Sequence, residues 1–182
     1  MKNLRHRWPA VVGLAAAVFQ LVTGVQRDTV AVTLSVALLC YLGAAALGRP
    51  WVAWAGVLGG SAVVVVTELA GFPWWAGIGL AALLLVTIGL GAGVPRGPLA
   101  WQAAAFLGYG GLVWAALSLS PRLGLLLAGT ALAAHAVWDV IHYRRHQVVA
   151  RSLAEFCILL DVPLGIGAMV LAITGDGAYL PR

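Results

Sequence analysis

The run Arg122-Leu-Gly-Leu-Leu-Leu-Ala-Gly-Thr-Ala-Leu-Ala-Ala-His135-Ala-Val-Trp-Asp139-Val-Ile-His142-Tyr143 sets the terms for the whole chain. After Arg122 its first half is apolar apart from Thr130. Its second half carries His135, Asp139 and His142 at spacings of four and three. A helix turns once every 3.6 residues, so these three side chains leave within an arc of roughly 60°. His146 falls on the same arc one turn later, and the next apolar segment carries Asp161. A lipid-embedded helix holds each such group at a cost of about 3 kcal/mol. Several on one face point to a built polar site inside a membrane bundle.

The composition agrees. Of 182 residues, 62% are hydrophobic and 9% charged, with mean hydropathy +0.97. Soluble domains carry about 25% charged residues. The expectation is an all-α, polytopic integral membrane protein, a single transmembrane domain over residues 1–182, with the lipid bilayer of the cell membrane as its first partner. The net charge of +5 does not indicate nucleic acid, because the basic residues stand as punctuation between apolar segments. Cys40 and Cys157 fall within apolar spans and read as small buried hydrophobes rather than a disulfide framework. The basic start, Met1 to Arg7, precedes an apolar run with no small-residue cleavage site, which predicts an uncleaved first span.

Seven segments are long enough to cross a bilayer, which needs about 20 apolar residues. They run over approximately 9–26, 29–48, 51–71, 74–93, 99–119, 122–143 and 153–174. Pro9, Pro50, Pro73, Pro98 and Pro121 stand at or near span starts, where a missing N–H costs nothing. Short connections predict an up-and-down seven-helix bundle. Lys2, Arg5, Arg7, Arg49, Arg96, Arg144, Arg145 and Arg151 fall on one side, and Arg27, Arg122 and Arg182 on the other. The positive-inside rule then places the N-terminus in the cytoplasm and the C-terminus outside. Trp8, Trp51 and Trp101 are expected at one interface and Trp74 and Trp75 at the other. The dense glycines, such as Gly56, Gly60, Gly77 and Gly89, read as close-packing positions.

In this topology His135, Asp139 and His142 occupy the cytoplasmic half of the sixth span. Asp161 lies about 12 Å into the seventh, at a depth comparable to His135. Two carboxylates meeting there must share a proton, pair with an imidazolium or bind a cation. Three readings follow. One is a metal site of His135, Asp139, His142 and Asp161 for a divalent ion such as Zn, Fe or Mn. The second is a metal-free acid–base or proton-relay site. The third is an interhelical hydrogen-bond network. Pro163 removes a backbone donor beside Asp161 and favours an irregular, cavity-lining stretch.

Other polar residues have more local readings. Ser152-Leu-Ala-Glu155 has the form of a capping box, and Arg151 lies one turn before Glu155. Glu68, near the far end of the third span, belongs to the outer leaflet. It is a further catalytic candidate or one end of a proton path, with Gln20 or the wet interface as the alternative. Gln102 and Tyr41 are expected at the level of the cluster, and His146 among water or headgroups.

A retinal Schiff base is excluded, because the only lysine is Lys2. A His-x3-His zinc pair in the last span is excluded as well, since that span has no histidine. The expected function is therefore an integral membrane enzyme acting on an apolar isoprenoid or lipid substrate. Asp139, Asp161, His135, His142 and Glu68 are its candidate catalytic residues. The alternatives are a proton or divalent-cation carrier using the same cluster, and a structural or accessory membrane subunit.

Overall fold

The computed structural model describes residues 7–175, and among these the chain is all-helical. Seven helices follow in order: α1 (Trp8–Thr23), α2 (Arg27–Leu47), α3 (Val52–Leu69), α4 (Trp74–Gly91), α5 (Arg96–Ser118), α6 (Pro121–Arg145) and α7 (Arg151–Thr174). Each coincides with one predicted apolar segment. Pro73 stands as the N-cap of α4 and Pro121 opens α6, as the missing N–H allows. Lys2, Arg5 and Arg182, used above to count charges, lie outside the described residues.

Five helices, α2, α3, α4, α6 and α7, are long and apolar enough to cross a membrane. At 16 residues α1 is shorter, about 24 Å of helix. Although α5 has 23 residues, it mixes its alanines and leucines with Arg96, Gln102, Tyr109 and several glycines, and it is not among the five. Large apolar side chains stand exposed along the helices, among them Leu58, Val65 and Val66 of α3 and Leu80, Leu83 and Leu84 of α4. Water does not tolerate apolar surface on this scale, whereas lipid does.

The described residues form two compact units. The first holds residues 7–34, 111–145 and 151–175, and the second 35–110 and 146–150. In the first unit α7 packs against both α1 and α6. Backbone meets backbone at two places. A methyl group at Gly13 of α1 would collide with the Phe156 carbonyl, and one at Gly165 of α7 would lie 2.6 Å from the Gly129 carbonyl oxygen of α6. Side chains fix the directions. Arg7 beside α1 donates to Glu155 near the start of α7 at 3.1 Å, so α1 and α7 run the same way. Arg122 in the first turn of α6 donates to the carbonyls of Ala172 and Ile173 at the end of α7, each at 2.6 Å, so α6 and α7 are antiparallel. Arg27 likewise donates to the Leu119 carbonyl just beyond α5. Both arginines satisfy carbonyls that a helix end leaves without partners. In the second unit α3 and α4 pack as a hairpin, with Gly77 against Thr67 and Val63. Gly56 and Gly60 of α3 meet Cys40 and Val36 of α2.

Trp74, which opens α4, is buried, while Trp8, Trp51, Trp75 and Trp101 are exposed. His146 does not continue the α6 arc, because the helix ends at Arg145 and His146 turns into the left-handed region (φ 54°) with its side chain exposed. Val148 also has positive φ (67°), which a β-branched residue rarely adopts. The five residues between α6 and α7 thus reverse the chain through strained backbone.

A buried imidazole between two carboxylates

The centre lies wholly within the first unit. The apolar stretch of α6 delivers His135 and Asp139 to its buried face, and α7 delivers Asp161 from the opposite side. Gly129 and Gly165 hold the two helices near contact distance just beyond it. They stand six residues from His135 and four from Asp161, which brings those two side chains to the same level of an antiparallel pair.

His135, Asp139 and Asp161 are each 0% exposed. The His135 Nδ1 lies 2.9 Å from Asp161 Oδ2 and 3.3 Å from Asp139 Oδ2. One ring nitrogen therefore faces an oxygen from each acid. Carboxylates only accept, so with protons alone in the site Nδ1 carries the hydrogen. One ligand atom from each of the three residues lies within 4.8 Å of the others, a group that could hold a metal ion. Tetrahedral ligands about 2.0 Å from a zinc ion are roughly 3.3 Å apart, close to the two separations seen. The Asp161 Oδ1 is buried and accepts no hydrogen bond among the described residues. A cation, a water or a substrate donor would satisfy that oxygen, so the donor set fits a divalent ion as well as a shared proton.

His142 is buried, at 7% exposure, but stands apart from this group of three. Its Nδ1 is 2.8 Å from the Trp138 carbonyl, and its ring tilts 49° against the Trp138 ring. A carbonyl accepts, so Nδ1 is the donor and Nε2 bears the lone pair whenever the ring is neutral. Glu68 belongs to the second unit, exposed near the end of α3. Gln20 in the first unit takes a hydrogen bond from Thr33 at 3.2 Å. Gln102 and Tyr41 are both buried in the second unit. Cys40 and Cys157 are buried and form no disulfide among the described residues, as expected for small core side chains.

Two features escaped the sequence. The Gly129 and Gly165 pair has no local signature distinguishing it from the other glycines. The partner of Glu155 is Arg7, just before α1, while the nearer candidate, Arg151, lies over the Tyr143 ring at 4.3 Å. Compared with known proteins, the chain matches no family model, no curated protein and no solved structure. Fold and site together define its class: an apolar helical protein of membrane type with a buried histidine held between two aspartates.

Proposed function

We propose that the chain is an integral membrane enzyme of seven spans, with a cytoplasmic N-terminus. Acid–base or metal-assisted chemistry on an apolar isoprenoid or lipid substrate would proceed at His135, Asp139 and Asp161. The observation that carries this reading is the convergence of one imidazole and two carboxylates at zero exposure. Interhelical glue needs one hydrogen bond, worth about 1 kcal/mol in a membrane. Two acids on one imidazole is a costly way to supply it.

The charge count explains what such a centre is suited for. An imidazolium with two carboxylates leaves a net negative charge, which a dry interior opposes. One more proton makes the group neutral, and so does a divalent cation beside a neutral imidazole. In the proton form, Asp161 is the acid or base facing the substrate, His135 hands the proton on and Asp139 holds the ring. In the metal form the three side chains are ligands, and three protein ligands with one open position is the pattern of catalytic zinc. When bound, the ion would act as a Lewis acid. His142, one turn away, would tune the centre.

The same neutrality favours a second reading, a carrier that exchanges protons for a divalent cation. Elemental analysis of the purified protein separates the forms. The metal form predicts about one ion per chain, lost in Asp161→Asn and His135→Ala. Lipid extracts of cells expressing the wild-type and Asp161→Asn proteins test the enzyme. Unchanged isoprenoid and lipid profiles, together with a cation flux into liposomes that Asp161→Asn abolishes, would transfer the assignment to the carrier.

A further inference from the structure

At the end of the first unit where α1 and α7 begin and α6 ends, the surface folds into a cleft of about 480 Å³. Arg7, Trp8, Tyr143, Arg151, Ser152 and Glu155 line it. None of these belongs to the buried centre, so the inference stands whichever reading of that centre holds. We propose that the cleft binds the phosphate of an anionic phosphomonoester, carried on a lipid.

Charge argues for an anion. Two arginines against one glutamate leave the lining net positive, and Arg144 and Arg145 extend the basic character along the last turn of α6. Geometry argues for phosphate. Glu155 is occupied by Arg7 at 3.1 Å, and among the described residues no carboxylate pairs with Arg151. Instead the Arg151 guanidinium carbon lies over the Tyr143 ring, 4.3 Å from its centroid. Contact with the ring restrains the guanidinium, whose fork of N–H donors matches phosphate oxygens.

The walls argue for a lipid as the bearer. Trp8 is half exposed beside the cleft, and Tyr143 lines it with an aromatic ring that has a polar tip. Such side chains favour the level where headgroups meet hydrocarbon.

The test uses the full chain, purified in a neutral detergent, and native mass spectrometry with dioleoyl phosphatidic acid and dioleoyl phosphatidylcholine. Phosphatidic acid is expected to be retained about tenfold more tightly than phosphatidylcholine. Arg151→Gln should erase that preference, a loss of about tenfold for one charge-assisted contact. Arg151→Lys, which keeps the charge without the fork and guards against a folding defect, should retain part of it. Arg96→Gln removes a charge from the second unit and should change nothing. Inorganic phosphate separates the sources. If millimolar phosphate leaves the lipid bound, the lipid-borne headgroup is the ligand; if it displaces the lipid as readily as a soluble phosphomonoester does, the lipid assignment fails. Equal retention of the two lipids, or equal loss in Arg96→Gln and Arg151→Gln, overturns the proposal.

Discussion

His135 is the residue on which the centre turns, because both acids reach the same ring nitrogen. Replacing it with alanine leaves two buried carboxylates facing each other without a base. Breaking a buried charged group in this way costs about 3 kcal/mol. His135→Ala is therefore expected to lower the unfolding temperature in detergent markedly, and the double variant His135→Ala/Asp161→Asn to recover much of the loss. A double-mutant cycle on thermal unfolding measures the coupling, and additive effects would mean the pair does not interact. At this scale the sequence was readable where helical spacing alone decides. Asp139 stands four residues beyond His135, so both had to share a face. Asp161 was readable because antiparallel neighbours match depth. His142 lies on the same arc, but helical spacing cannot show that its Nδ1 is committed to the Trp138 carbonyl one turn back. Nor can spacing show where a helix stops, and His146 lies just past that point.

Among the elements, the seam between α6 and α7 matters most. A methyl group at Gly165 would lie 2.6 Å from the Gly129 oxygen and 2.8 Å from the Ala133 nitrogen, with only backbone to yield. Gly165→Ala should push the helices apart, destabilise the protein by about 1–3 kcal/mol and lengthen the His135–Asp161 contact. Gly59→Ala on α3 is the counterpart: nothing lies within 4 Å of the added atom, and helix propensity should raise stability by up to about 1 kcal/mol. Thermal unfolding of the two variants, followed by tryptophan fluorescence, checks both signs. The existence of all seven helices was readable because proline and charge bracket each apolar run. The partners of Arg27 and Arg122 were not. A charge counted for its side of the membrane carries no mark that it also caps the end of a neighbouring helix.

For the whole molecule, the proposed topology assigns each connection a side. Asp28→Cys, at the start of α2, is expected to react with a membrane-impermeant thiol reagent applied to intact cells. His146→Cys, in the link after α6, should react only after permeabilisation. The native cysteines are buried and should contribute little background. The reverse pattern would invert the orientation, and labelling of both positions from outside would mean an even number of crossings between them. Only hydropathy and the distribution of arginines supported the topology in the sequence. The structure adds that within the first unit the ends bearing Arg7 and Arg151 lie together, while Arg122 sits at the opposite end.

Arg122 also has a bearing on how the last two helices stay together. Its two bonds to Ala172 and Ile173 latch α6 to α7 at the end remote from their covalent link, as a clasp closes a folded rule. The five-residue link is thereby relieved of holding the two rods side by side. A chain cut there would leave fragments that still carry their own means of finding each other.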